Sequence, residues 1–134
     1  MAKEHFSFRV PARDRKLLAE QAAGRPVSEL ARRYVTEGLR RDRHPRVTFV
    51  PWRPGHPVLV GRPRLEVADI VETWQLSERD EEATAGYFGL PVAEVRAALA
   101  YDAEFADEID AILNEKHRLA ERYERLDRAG RPAG

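Results

Sequence analysis

The chain has 134 residues with 23 Lys and Arg balanced by 23 Asp and Glu, enough for one domain or two small ones. It has no cysteine, which excludes disulfides and thiolate metal sites and makes an intracellular location the default. The zero net charge hides a division: residues 1–46 hold twelve cations and six acids, a net +6, and residues 47–134 a net −6. Within the second part, residues 66–115 carry fourteen acids against Arg79 and Arg96. A basic head and an acidic body imply two different partners, phosphates favoured by the first and repelled by the second.

No apolar run follows Met1, so no signal peptide is expected. The longest apolar stretch, Pro57 to Val60, is far too short to cross a membrane. A cytoplasmic protein is the expectation.

His5-Phe6-Ser7-Phe8-Arg9-Val10 alternates strictly between apolar and polar residues and stops at Pro11, the pattern of a strand with one buried face. Phe6, Phe8 and Val10 share one side; His5, Ser7 and Arg9 share the other. A lone strand is not stable in water, and the chain up to about residue 43 reads as helical, so the natural partner is the same strand of a second subunit. A two-stranded ribbon of that kind fits the major groove of DNA, where Arg is the commonest reader of a base edge.

Pro11 and Gly24 bracket a first helix of strong helix formers. Gly24-Arg25-Pro26-Val27 reads as a turn, with Ser28 as N-cap of a second helix to about Arg41. Its apolar stripe is Val27, Leu30, Ala31, Tyr34, Val35 and Leu39. Forty residues cannot bury a core of their own, so an obligate dimer is expected, its core made by Phe6, Phe8, Val10, Leu30 and Tyr34.

Residues 5–41 resemble a ribbon-helix-helix domain, the fold of the Arc, MetJ and CopG repressors and of many antitoxins. The resemblance implies base reading by His5, Ser7 and Arg9. It also implies a phosphate held at the start of the second helix by Val27 and Ser28, with Lys3 and Arg25 adding charge. A helix N-terminus offers free N–H groups and a positive dipole to an anion, which agrees.

Arg40 to Arg46 is a charged, Pro-containing boundary between a first domain, 1–43, and a second, 47–127. Val47 to Val50 and Pro57 to Val60 read as two short strands of a hairpin, with Trp52 in the turn between them. Four helices follow. Val67, Ile70, Val71 and Trp74 recur at helical spacing, placing a helix over Glu66 to about Gln75. Ser77 is the expected cap of the next, which reaches Gly89; Pro91 opens a third, and Asp107 a long last helix striped by Ile109, Ile112, Leu113, Leu119, Ala120, Tyr123 and Leu126. Residues 128–134 read as a disordered tail.

Gly55-His56-Pro57-Val58-Leu59-Val60-Gly61-Arg62-Pro63-Arg64 and Val95-Arg96-Ala97-Ala98-Leu99-Ala100-Tyr101 are similar to segments of the family of domain-of-unknown-function 433, a helix-turn-helix-like antitoxin module, over roughly residues 47–115. Ala85, Gly89 and Val95 stand at helix-turn-helix spacing. Arg62-Pro63-Arg64 departs from the family's Gly-Thr-Arg. The third helix is too acidic for phosphates, since Arg96 stands against Glu94, Asp102 and Glu104, so a protein-binding or oligomerising use is expected.

The four histidines show no ligand spacing, the glycines form no phosphate loop, and no serine has a candidate base, so no metal, no cofactor and no enzymatic activity are expected. The expected fold is mainly α: a dimeric ribbon-helix-helix, a short β-hairpin, and a winged helix-turn-helix-like domain with a long final helix. The expected function is a type II antitoxin that represses its own operator as a homodimer, with pairing into tetramers on DNA left open. Its second domain would neutralise a toxin, which the resemblance implies is a PIN-like ribonuclease. Trp52 and Tyr123 are candidate toxin contacts, aromatic residues being enriched at interface hot spots. A repressor without a toxin, its second domain an oligomeriser or sensor, is the alternative.

Overall fold

The computed structural model describes residues 4–130. It is mainly helical, with a small three-stranded antiparallel sheet and a long C-terminal helix. The chain divides into two compact units, Met1–Leu39 and Arg40–Gly134.

In the first unit, residues 4–11 belong to no helix or strand. Helix α1 spans Ala12–Ala22 and α2 spans Val27–Arg43. The turn between them starts one residue before the expected glycine. Ala23 itself is left-handed (φ 50°) and its N–H returns to the Ala19 carbonyl, with Gly24 at φ 89° completing the reversal. Ser28 is not the N-cap of α2. The helix already includes Val27, and the Pro26 carbonyl accepts from the Glu29 N–H at 3.2 Å. Among the described residues of this unit, Ala22 and Glu37 alone are buried.

The second unit begins inside the last turn of α2, a few residues before the expected boundary. The reason is charge. Arg40 Nε donates to Glu108 at 2.7 Å, and Arg43 Nε donates to Glu104 at 3.1 Å. Strand β1 (Val47–Thr48) pairs antiparallel with β2 (Val58–Leu59), Val47 opposite Leu59. β2 pairs in turn with β3 (Arg62–Glu66), with an irregularity between Val58 and Leu59. Three strands thus stand where two were expected. Arg62-Pro63-Arg64 reads as turn in sequence, but lies at a sheet edge, where proline is tolerated.

Helices α3 (Val67–Leu76), α4 (Glu81–Phe88), α5 (Val92–Glu104) and α6 (Ala106–Gly130) complete the unit. Asp80, not Ser77, caps α4: its Oδ1 accepts from the Ala83 N–H at 3.0 Å. Ser77 instead closes α3, its N–H reaching the Thr73 and Trp74 carbonyls. Glu78 and Arg79, both left-handed, occupy the turn and push the start of α4 to residue 81. α6 continues to Gly130, so residues 128–130 are helical rather than disordered; 131–134 lie outside the described residues.

Val47, Leu59, Val67, Ile70, Val71, Val95, Ala98, Tyr101 and Ile109 form the core. Trp74, on the same helical stripe as Ile70 and Val71, is only half-buried, and its indole nitrogen has no hydrogen-bond partner. Arg79 lies over its ring, 5.6 Å from the centroid.

Candidate nucleic-acid interface and partner surfaces

In the single chain, the apolar face of the N-terminal segment is bare. Phe6 is 81 % exposed and Phe8 53 %, while Val10 is exposed beside them. The two rings touch each other, with centroids 5.8 Å apart. A groove of about 810 Å³ is lined by these residues together with Leu18, Val27 and Val35 of α1 and α2. Leu30 and Tyr34, the other expected core residues, are half-buried. Water-exposed phenylalanines beside an apolar groove call for a second apolar surface.

His5, Ser7 and Arg9 are all exposed. Val27 and Ser28 are the first two residues of α2, where backbone N–H groups have no intrahelical acceptor; Arg25 is exposed just before them. Lys3 lies outside the described residues.

The second unit presents a different surface. Arg96 Nε donates to Glu81 at 2.7 Å and Arg62 Nε to Glu94 at 3.1 Å. The two cations nearest the outer face of α5 are thereby neutralised within the unit. Sequence reading missed the second pair, because the two residues are 32 apart and meet only when β3 folds beside α5. Ala85 and Val95 are buried, and Gly89 (φ 67°) ends α4 with its N–H on the Ala85 and Gly86 carbonyls. These are the residues expected at the tight turn between the two helices.

Trp52 is 69 % exposed, and its loop is tethered. Arg53 Nε donates to Glu66 at 3.2 Å, and the other Glu66 oxygen is 2.7 Å from His56 Nδ1. A large ring held out to solvent on a fastened loop is pre-organised for contact. Tyr123, the other expected contact, stands on α6 at 68 % exposure, far along the helix from Trp52 in sequence. No observation brings the two together.

A buried polar group lies behind these surfaces. Tyr101, fully buried, donates its hydroxyl to Glu108 at 3.3 Å, and burial pushes that hydroxyl well above its ordinary range. Arg40 stacks on Phe105 at 4.1 Å, and His44 meets Tyr101 edge-on at 5.1 Å. Among the described residues no group of three His, Asp or Glu side chains converges as a metal site requires, and no helix is long and apolar enough to cross a membrane.

Two carboxylates hold helices together. Glu72 of α3 accepts from Lys116 of α6 at 2.8 Å and lies 2.5 Å from His117. The Lys116 ammonium holds Glu72 below its ordinary pKa, with His117 adding to the effect against burial. Glu104 is lowered by Arg43 first and His44 second. A carboxylate lowered in the folded state contributes stability that is complete above its unfolded pKa and is lost as pH falls through the folded value. Stability should therefore decline as acid is added below the ordinary value of 4.5. Glu72→Gln should flatten the decline in a series of denaturation curves, by a modest amount because these pairs face solvent; an unchanged slope would exclude Glu72.

No protein-family model matches the chain, and no curated protein or solved structure is similar to it.

Proposed function

We propose that the protein is the antitoxin and autorepressor of a type II toxin–antitoxin pair. Residues 4–41 form a ribbon-helix-helix head that reads operator DNA as a homodimer. The single observation that carries this reading is the bare face of Phe6, Phe8 and Val10 beside its apolar groove. Two copies burying six such side chains gain roughly 1.5–3 kcal/mol for each, and the ribbon so formed turns His5, Ser7 and Arg9 outward together. Val27 and Ser28, helped by Arg25, supply the phosphate contact at the N-terminus of α2. Lys3 belongs to the same proposed set.

Residues 40–130 act as a helix-turn-helix-like module turned to protein binding, with α4 and α5 as its paired helices. Support comes from Arg96 and Arg62, whose charges are consumed by Glu81 and Glu94. The partner is a toxin, proposed as a PIN-like ribonuclease, and Trp52 is its leading contact. An acidic surface suits a partner whose own site must attract RNA.

A gel shift of the full chain on DNA upstream of its own coding region should weaken steeply with added salt. Phe8→Glu should abolish the shift while leaving the circular dichroism of the second unit intact. A Phe8→Glu chain that still shifts the fragment would end the ribbon reading. Co-expression with the adjacent gene product, followed by pull-down through wild type and Trp52→Ala, tests the toxin half.

A further inference from the structure

We propose that the second half of α6 is a self-association helix, pairing in parallel with the same helix of a second copy. This goes beyond the DNA-binding reading and does not require it.

The apolar stripe of α6 has two different fates. Ile109 and Leu113 are buried in the core of the second unit, and Ile112 packs against it. Past Lys116, which is tied to Asp69 and Glu72 of α3, every described residue of the helix is exposed. Leu119, Tyr123 and Leu126 remain on the stripe at 40 %, 68 % and 58 % exposure. At 1.5 Å per residue, the stretch 117–130 extends roughly 21 Å with no neighbour along it. A helix of that length is marginal in water by itself, so its persistence to Gly130 calls for a partner.

The spacing selects the kind of partner. Residues 109, 112, 116, 119, 123, 126 and 130 alternate in steps of three and four, the heptad seam of a coiled coil rather than the broader face of a helix lying on a globular core. The flanking charges select the occupant. Residues 119–130 contain Arg122, Arg125 and Arg128 against Glu121, Glu124 and Asp127, a balanced set offering no net attraction to a strongly acidic or basic surface. It does match itself. In a parallel pair Arg122 of one copy flanks the seam opposite Asp127 of the other. An antiparallel pair that keeps Leu119, Tyr123 and Leu126 in contact sets Arg122 against Arg122. Complementarity therefore favours the parallel arrangement.

The chain's lack of cysteine makes the test direct. Leu126→Cys places a thiol on the seam, and Arg125→Cys places one on the outward face; both positions are exposed, so neither change disturbs a core. In a glutathione redox buffer the full-length Leu126→Cys chain should form an intermolecular disulfide about tenfold faster than Arg125→Cys, because pairing raises the local thiol concentration. Adding Arg122→Asp should slow the seam cross-link, and adding Asp127→Arg to that variant should restore it. Equal rates at 126 and 125 would overturn the helix pairing. A seam cross-link unaffected by Arg122→Asp would overturn the parallel register. The readout is local to α6: equal rates leave the ribbon reading standing, and lost DNA binding with a fast seam cross-link does the reverse.

Discussion

Tyr101→Ala should destabilise the second unit by about 3–5 kcal/mol, the range for deleting a fully buried aromatic ring. Tyr101 is the largest fully buried side chain of the structure; its ring meets Phe105 at 4.9 Å and His44 at 5.1 Å. Removing it opens a cavity beneath Arg40 and Glu108. Tyr101→Phe separates ring from hydroxyl. It keeps the packing and forfeits a 3.3 Å hydrogen bond to a carboxylate that retains Arg40, so its cost should be about 1 kcal/mol. Urea denaturation followed by circular dichroism measures both. Similar costs for the two variants would assign the site's importance to the hydroxyl rather than to packing.

Arg9→Ala should abolish discrimination between operator and unrelated DNA while leaving the fold unchanged. The side chain is exposed, and no hydrogen bond or ion pair holds it within the chain, so folding loses nothing. In the proposed dimer it reads a base edge twice. Each bidentate contact to guanine is worth about 1–3 kcal/mol of discrimination. Competition between labelled operator and nonspecific DNA is the measurement. Non-specific affinity should survive through Arg25 and the α2 N-terminus. Full specificity in the variant would mean that the strand's polar face meets something other than bases.

The helices were legible because their signals are local. Val67, Ile70 and Val71 mark α3 by spacing, Pro91 marks the start of α5, and the stripe from Ile109 to Leu126 marks α6. The helix starts were harder. Ser77 and Asp80 are both good caps, and the choice between them rests on two left-handed residues, Glu78 and Arg79, that no propensity favours. The third strand was hidden because Arg62-Pro63-Arg64 has turn chemistry, and its place in the sheet depends on β2 alongside. Of the candidate site, exposure could be anticipated for His5, Ser7, Arg9 and Trp52 from alternation and turn context. The tether of the Trp52 loop through Arg53 and His56 to Glu66 could not, since the three converge only after the sheet forms.

The uneven distribution of buried residues has a thermodynamic consequence. The second unit carries an aromatic and aliphatic core, whereas the described part of the first buries Ala22 and Glu37 alone. Such a chain does not melt as one body. In scanning calorimetry the head should give an early, shallow transition that moves upward with protein concentration, followed by a sharp one that is much less sensitive to dilution. Amide exchange should rank the same way, with α1 opening long before α5. On the proposed reading, DNA occupancy then follows the abundance of the protein more steeply than partner binding does. Dilution or mild heat would release the operator first, while the acidic body stays folded and able to hold its partner.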